Sequence, residues 1–184
     1  EKDNVLVKMT AAGICGSDVG IYHGTNAAAT YPRVIGHEMV GRVDEVGPNV
    51  KDLKPGDRVI INQVTSCGHC YPCRIGRGNV CDSLAVRGVH IDGGYREYMA
   101  VPEDACYLLP EGLSDVEAVM IEPTTIAIQS CSRAQLCAED TLLIYGCGAL
   151  GSTILKIARL SGATIIVTDV VEEKLEEAKK NGAH

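Results

Sequence analysis

Up to about residue 110, the apolar positions come in short runs broken by glycine and proline. Val5 to Met9, Val40 to Val46, Arg58 to Gln63 and Tyr95 to Val101 read as strands bounded by turn residues. That texture predicts a partly open β domain. From Leu113 the pattern changes: Asp115 to Cys131 carries apolar residues at mixed helical spacing, with only Pro123 interrupting. This segment is expected to connect two domains, residues 1–112 and 113–184. From Thr141 the order becomes an apolar strand (Leu142 to Tyr145), a glycine turn, a helix (Ala149 to Ser161), a second strand (Thr164 to Thr168) and a charged helix from Glu172 to Lys180. Strand, turn, helix, strand is the opening of an α/β nucleotide-binding unit, so the expected class is α+β followed by α/β. The last helix has a polar face rich in Glu and Lys, as a solvated surface should.

The glycine turn gives that unit its chemistry. Gly146-Cys147-Gly148-Ala149-Leu150-Gly151 follows a β run, opens a helix, and is followed eighteen residues after Gly151 by Asp169 at the end of the next strand. Gly146 permits a tight turn, Gly148 admits a pyrophosphate against the backbone, and Gly151 lets helix and strand pack closely. The helix N-terminus, at Ala149 and Leu150, offers unpaired N–H groups to the anion. Asp169 would hold the adenosine ribose diol. A carboxylate there repels a 2′-phosphate, so the expected cofactor is NAD and not NADP.

Four cysteines make a second constellation. Cys67, Cys70 and Cys73 lie at intervals of three and Cys81 eight further on, a spacing that lets four thiolates close around one tetrahedral zinc. A closed shell leaves no position for water or substrate, so the expected role is architectural, in a lobe that wraps the ion without regular structure. Disulfides, unrelated thiols, or His69 as a rival ligand are the alternatives. Nine cysteines cannot all pair within one chain, and the clustering of four favours a reducing cytoplasm over a secreted disulfide framework.

Charge and length narrow the partners. Seventeen Lys and Arg against 24 Asp and Glu leave a net charge of −7, which disfavours phosphate backbones and anionic membranes. No apolar run approaches the roughly 20 residues that span a bilayer. Neither nucleic acid nor membrane is an expected partner.

A third group lies upstream. Cys15 stands in Cys15-Gly16-Ser17-Asp18-Val19, and His37 and Glu38 in Gly36-His37-Glu38-x-x-Gly41-x5-Gly47-x-x-Val50. This last run resembles the zinc signature of the medium-chain alcohol dehydrogenases, and the four-cysteine lobe and glycine turn follow in that family's order. The resemblance covers essentially the whole chain, and Glu122-Pro123 brings it closest to the polyol (sorbitol-like) and threonine dehydrogenase branch. It implies a GroES-like, partly open β-barrel-like catalytic domain followed by the first half of a Rossmann domain. It also implies two zinc ions per chain, one catalytic and one structural.

By position, Cys15 and His37 resemble the constant ligands of the catalytic zinc. Glu38 resembles an acidic neighbour that ligates or retreats, and Glu122 a further ligand, direct or through water. Asp18 resembles the acid that orients the zinc histidine, and Ser17 the hydroxyl that accepts the substrate's proton. Many members carry histidine five residues after the zinc cysteine, where this chain has Gly20, and His23 is expected to be merely exposed.

The resemblance implies hydride transfer to NAD from a secondary alcohol of a small polyol, sugar alcohol or hydroxy amino acid, by a dimer or tetramer. It also implies that these residues are a piece of a longer enzyme and inactive alone. A zinc-stabilised, non-catalytic binding or regulatory module is the rival reading, and the number of bound metal ions separates the two. A zinc-free reductase of the same superfamily is disfavoured by Cys15 and His37.

Overall fold

A computed structural model describes residues 2–184. Its strands are β1 (Asn4–Ala12), β2 (Met39–Val46), β3 (Arg58–Ile61), β4 (Val64–Thr65), β5 (Ala85–Val86), β6 (Tyr98–Pro102), β7 (Cys106–Leu108), β8 (Thr141–Tyr145) and β9 (Thr164–Thr168). Its α-helices are α1 (Gly16–Tyr22), α2 (Tyr71–Arg74), α3 (Asp115–Val119), α4 (Ile121–Ala134), α5 (Ala149–Ala158) and α6 (Glu172–Lys180). The chain divides into two compact units, Glu1–Met120 and Ile121–His184.

In the first unit, β6-β1-β2-β3-β7 form one antiparallel sheet. Its two end strands do not meet, so the sheet stays open. Alternation along β1 puts Val5 and Val7 inward, where they pack with Met39, Val43, Leu53, Val59, Ile61, Met99 and Val101. Register shifts in the β1–β2 pairing fall between Leu6 and Val7 and between Met9 and Ala11. The ladder of β1 with β2 ends at Ala12, opposite Met39. Bulges at strand ends redirect the chain, and here the two segments that leave the paired region carry Cys15 and His37.

Three local expectations are corrected. The run from Tyr95 does not become a strand until Tyr98, because the Tyr95 N–H donates to Ile35 O, 3.0 Å away, outside the sheet. The cysteine lobe is not free of regular structure: it holds α2, with Pro72 in its first turn where a missing N–H costs nothing, and a 3₁₀ turn at Gly78–Val80. Pro123 does not interrupt a helix. It sits in the first turn of α4, and the break comes at Met120, between α3 and α4.

In the second unit, β8 and β9 pair in parallel, residue for residue from Thr141 with Thr164 to Tyr145 with Thr168. Ile144 and Ile165 face Leu155 and Ala158 of α5 and Ala178 of α6, a small core that fixes both helices to the sheet. Among the described residues, no helix is long and apolar enough to cross a membrane.

Candidate metal centres and dinucleotide turn

Cys15 is the residue before α1, and the carboxylate of Asp18, one turn into that helix, folds back to accept from the Cys15 N–H at 2.9 Å. The same carboxylate reaches the other segment, accepting from the Gly36 N–H at 3.1 Å through Oδ1. Asp18 is 1% exposed, and a buried carboxylate persists only where hydrogen bonds compensate its lost hydration. It therefore ties the Cys15 turn to the strand entry at His37.

That tie brings three donors together: the thiol of Cys15, a ring nitrogen of His37 and a carboxylate oxygen of Glu38 all lie within 4.8 Å of one another. His37 and Glu38 are buried. Burial raises the Glu38 carboxyl above its ordinary value, His37 pulls it back, and Asp18 pushes it further up. His37 Nδ1 lies 3.3 Å from Asp18 Oδ1 but off hydrogen-bonding geometry, and it has no hydrogen-bond partner among the described residues. Thiol, imidazole and carboxylate in one pocket, with an acid behind the imidazole, suit zinc with a position left open. Ser17 lies half-buried in the first turn of α1 between Cys15 and Asp18. Glu122 lies in the first turn of α4, in the second unit. His23 follows α1 and is exposed, edge-on to Tyr22.

The thiols of Cys67, Cys70, Cys73 and Cys81 also lie within 4.8 Å of one another. Sulfur pairs stand 3.3, 3.8 and 4.0 Å apart, close to the about 3.8 Å separation of thiolates around a tetrahedral zinc at 2.3 Å. Backbone N–H groups point at the sulfurs, from Cys67 and Ser83 to Cys81 and from Cys70 to Cys67. Backbone bonds from His69 and Cys70 draw the Cys67 thiol down to about 6, whereas its bond with Cys70 pushes Cys73 up to about 11. His69 turns its Nδ1 to Cys67 O at 2.8 Å and is exposed. The donor set fits a closed zinc site.

In the second unit, Gly146 adopts φ +87°, and a Cβ on Gly151 would stand 2.0 Å from Gly146 O. Only glycine at both positions lets the turn close against the helix start. Gly148 caps α5, with Ala149 and Leu150 as its first residues. Asp169 accepts from the Cys147 N–H at 2.6 Å and the Val171 N–H at 3.0 Å. Those bonds, Cys147 first, hold its carboxyl below the ordinary range. The charge expected on Asp169 is therefore fixed beside the glycine turn.

Sequence reasoning missed two residues here. Lys174 places its Nζ 4.0 Å from Asp169 Oδ2; its signal was a lysine five residues after the strand-end acid. Tyr95 donates its hydroxyl toward Gly13 O at 2.7 Å and Asp18 Oδ2 at 3.2 Å, whereas the sequence pattern marks it only as the first residue of a strand.

Comparison with known proteins gives the family. Residues 1–111 match the alcohol dehydrogenase GroES-like domain, so the chain belongs to the zinc-type, medium-chain alcohol dehydrogenase family. It is 50% identical over 181 residues to the starvation-sensing protein RspB of Escherichia coli, covering 97% of this chain and 53% of the relative. It is 38% identical over 186 residues to a sorbitol dehydrogenase of Bacillus subtilis, covering 98% of this chain and 53% of the relative. A crystal structure of RspB from Escherichia coli, complexed with NADH, superposes with a TM-score of 0.92 at 49% identity, over 98% of this chain and 53% of that one. The chain thus spans about half the length of the relatives it matches.

Proposed function

We propose that this chain supplies the zinc sites and the first half of the dinucleotide-binding unit of an NAD-dependent dehydrogenase. Its substrates would be secondary alcohols of small polyols, sugar alcohols or hydroxy amino acids. The observation that carries the reading is the convergence of Cys15, His37 and Glu38, with Asp18 buried behind them. Relatives named sorbitol dehydrogenase, L-galactonate-5-dehydrogenase and L-threonine 3-dehydrogenase, at 35–38% identity, support the substrate class.

Cys15 and His37, with Glu38 as carboxylate partner, would hold a zinc ion whose chemistry is Lewis-acid polarisation of the substrate's oxygen. NAD would be the hydride acceptor. Asp18 holds the Cys15 and His37 segments in register and sets the charge behind the imidazole. Ser17 would relay the substrate's proton, accepting it while passing its own hydroxyl proton outward to water, since a hydroxyl donates and accepts at once. Gly146, Gly148, Ala149, Leu150 and Gly151 present backbone to the pyrophosphate, and Asp169 accepts from the ribose diol. Cys67, Cys70, Cys73 and Cys81 would hold the second zinc and with it the lobe. Assembly as a dimer or tetramer, in the cytoplasm, belongs to the same reading.

The reading is tested on the longer protein expected to contain these residues, by following NAD reduction with sorbitol, xylitol, galactonate, threonine and simple alcohols, before and after metal removal. Activity on a polyol or hydroxy acid that is lost with zinc and restored by it is expected. Turnover that survives complete zinc removal would overturn the proposal.

A further inference from the structure

Tyr95 is placed to act on the three-donor group without touching it. Its segment is bound to the one that carries His37 and Glu38: the Gly93, Gly94 and Tyr95 N–H groups donate to Val34 O, Gly36 O and Ile35 O at 2.7, 2.9 and 3.0 Å. Its ring lies against Gly36, where an added Cβ would meet Cδ1 at 2.3 Å. The ring is partly exposed, but the hydroxyl turns inward, to Gly13 O and to Asp18 Oδ2.

Both acceptors belong to the site's support. The Gly13 N–H donates to Glu38 O at 2.9 Å, and its Cα stands so close to the Glu38 carboxylate that a Cβ would overlap Oε2. Asp18 bridges Cys15 and Gly36 and faces His37. One phenol therefore meets the two groups that place all three donors. Phenylalanine would fill the same volume and keep every backbone bond, so packing alone does not require a hydroxyl.

We infer that Tyr95 is a positioning residue: its hydroxyl locks the Gly13 turn to Asp18 and thereby holds Cys15, His37 and Glu38 at metal-binding separation. The inference rests on the metal-binding reading of that group.

The test is release of Zn²⁺ from the zinc-loaded chain into a chromogenic chelator, with the two release phases assigned by Cys15→Ser and Cys70→Ser. Tyr95→Phe should accelerate the Cys15-dependent phase about tenfold, at the low end for partners outside the ligand shell. It should leave the four-thiol phase unchanged, which serves as the control for folding within the same unit. On an Asp18→Asn background the same change should add about twofold or less, because the path runs through Asp18. Equal acceleration of both phases, or a variant that does not fold, would assign the hydroxyl to the fold and overturn the inference. An unchanged Cys15-dependent phase would overturn it too, while leaving the proposed function standing. A wild-type chain that binds a single ion would instead overturn the functional reading, and this inference with it.

Discussion

At the scale of single residues, charge is held where backbone N–H groups converge on it. Asp169 is the clearest case, with the Cys147 and Val171 N–H groups on its two oxygens. Asp169→Ala should weaken NAD at least about tenfold, the low-end worth of one hydrogen bond to a charged group, and narrow the gap to NADP by removing the repulsion of its phosphate. Titration calorimetry with each dinucleotide checks both. The acid itself was legible in the sequence from its distance to Gly151. Its bond to Cys147 was not, because a residue type carries no record of which backbone group will face it. Tyr95 escapes the pattern for a related reason: the run to Val101 reads as strand, and only the folded chain shows its first residue bonded to Ile35.

Between elements, two contacts decide how helices sit on sheets. Arg58 of β3 binds Asp115 of α3 through Nε and Nη2 at 2.9 and 2.6 Å and caps Leu113 O as well. A bond with Thr10, then Arg58, holds the Asp115 carboxyl below its ordinary value. A depressed carboxyl contributes stability that is complete above its unfolded value of about 3.9 and is lost as pH falls through the folded one. Asp115→Asn should therefore cost about 1 kcal/mol at neutral pH, discounted for the pair's partial exposure. It should also flatten the decline in stability below about pH 4, as followed by urea titration across pH. At the other contact, Gly151 of α5 approaches Gly146 O so closely that Gly151→Ala should cost about 1–3 kcal/mol, the range for overpacking. Thermal melting of the variant reads this directly. The elements β8, β9 and α6 were legible almost to the residue, since a strand flanked by turn glycine and a charged nine-residue helix have little competition. The split between α3 and α4 was not, because Pro123 is the one helix breaker in the segment, whereas proline is tolerated in a first turn.

In the whole molecule, two ligand sets that share no residue sit on different parts of one unit. Spacing made the four thiols legible, since intervals of three within one lobe leave few other arrangements. The second set joins residues 22 positions apart, so sequence alone indicated it only through the family signature. Its physical cause, the buried Asp18 bridging Cys15 and Gly36, emerges from the fold. Metal content per chain, measured by atomic emission on purified protein, tests this most directly. Two zinc ions are expected in the wild type, one after Cys70→Ser with loss of lobe stability, and one after Cys15→Ser with the melting temperature largely kept. A single ion in the wild type, unaffected by Cys15→Ser, would contradict the account, because Cys15, His37 and Glu38 would then be a buried polar cluster with no metal to hold.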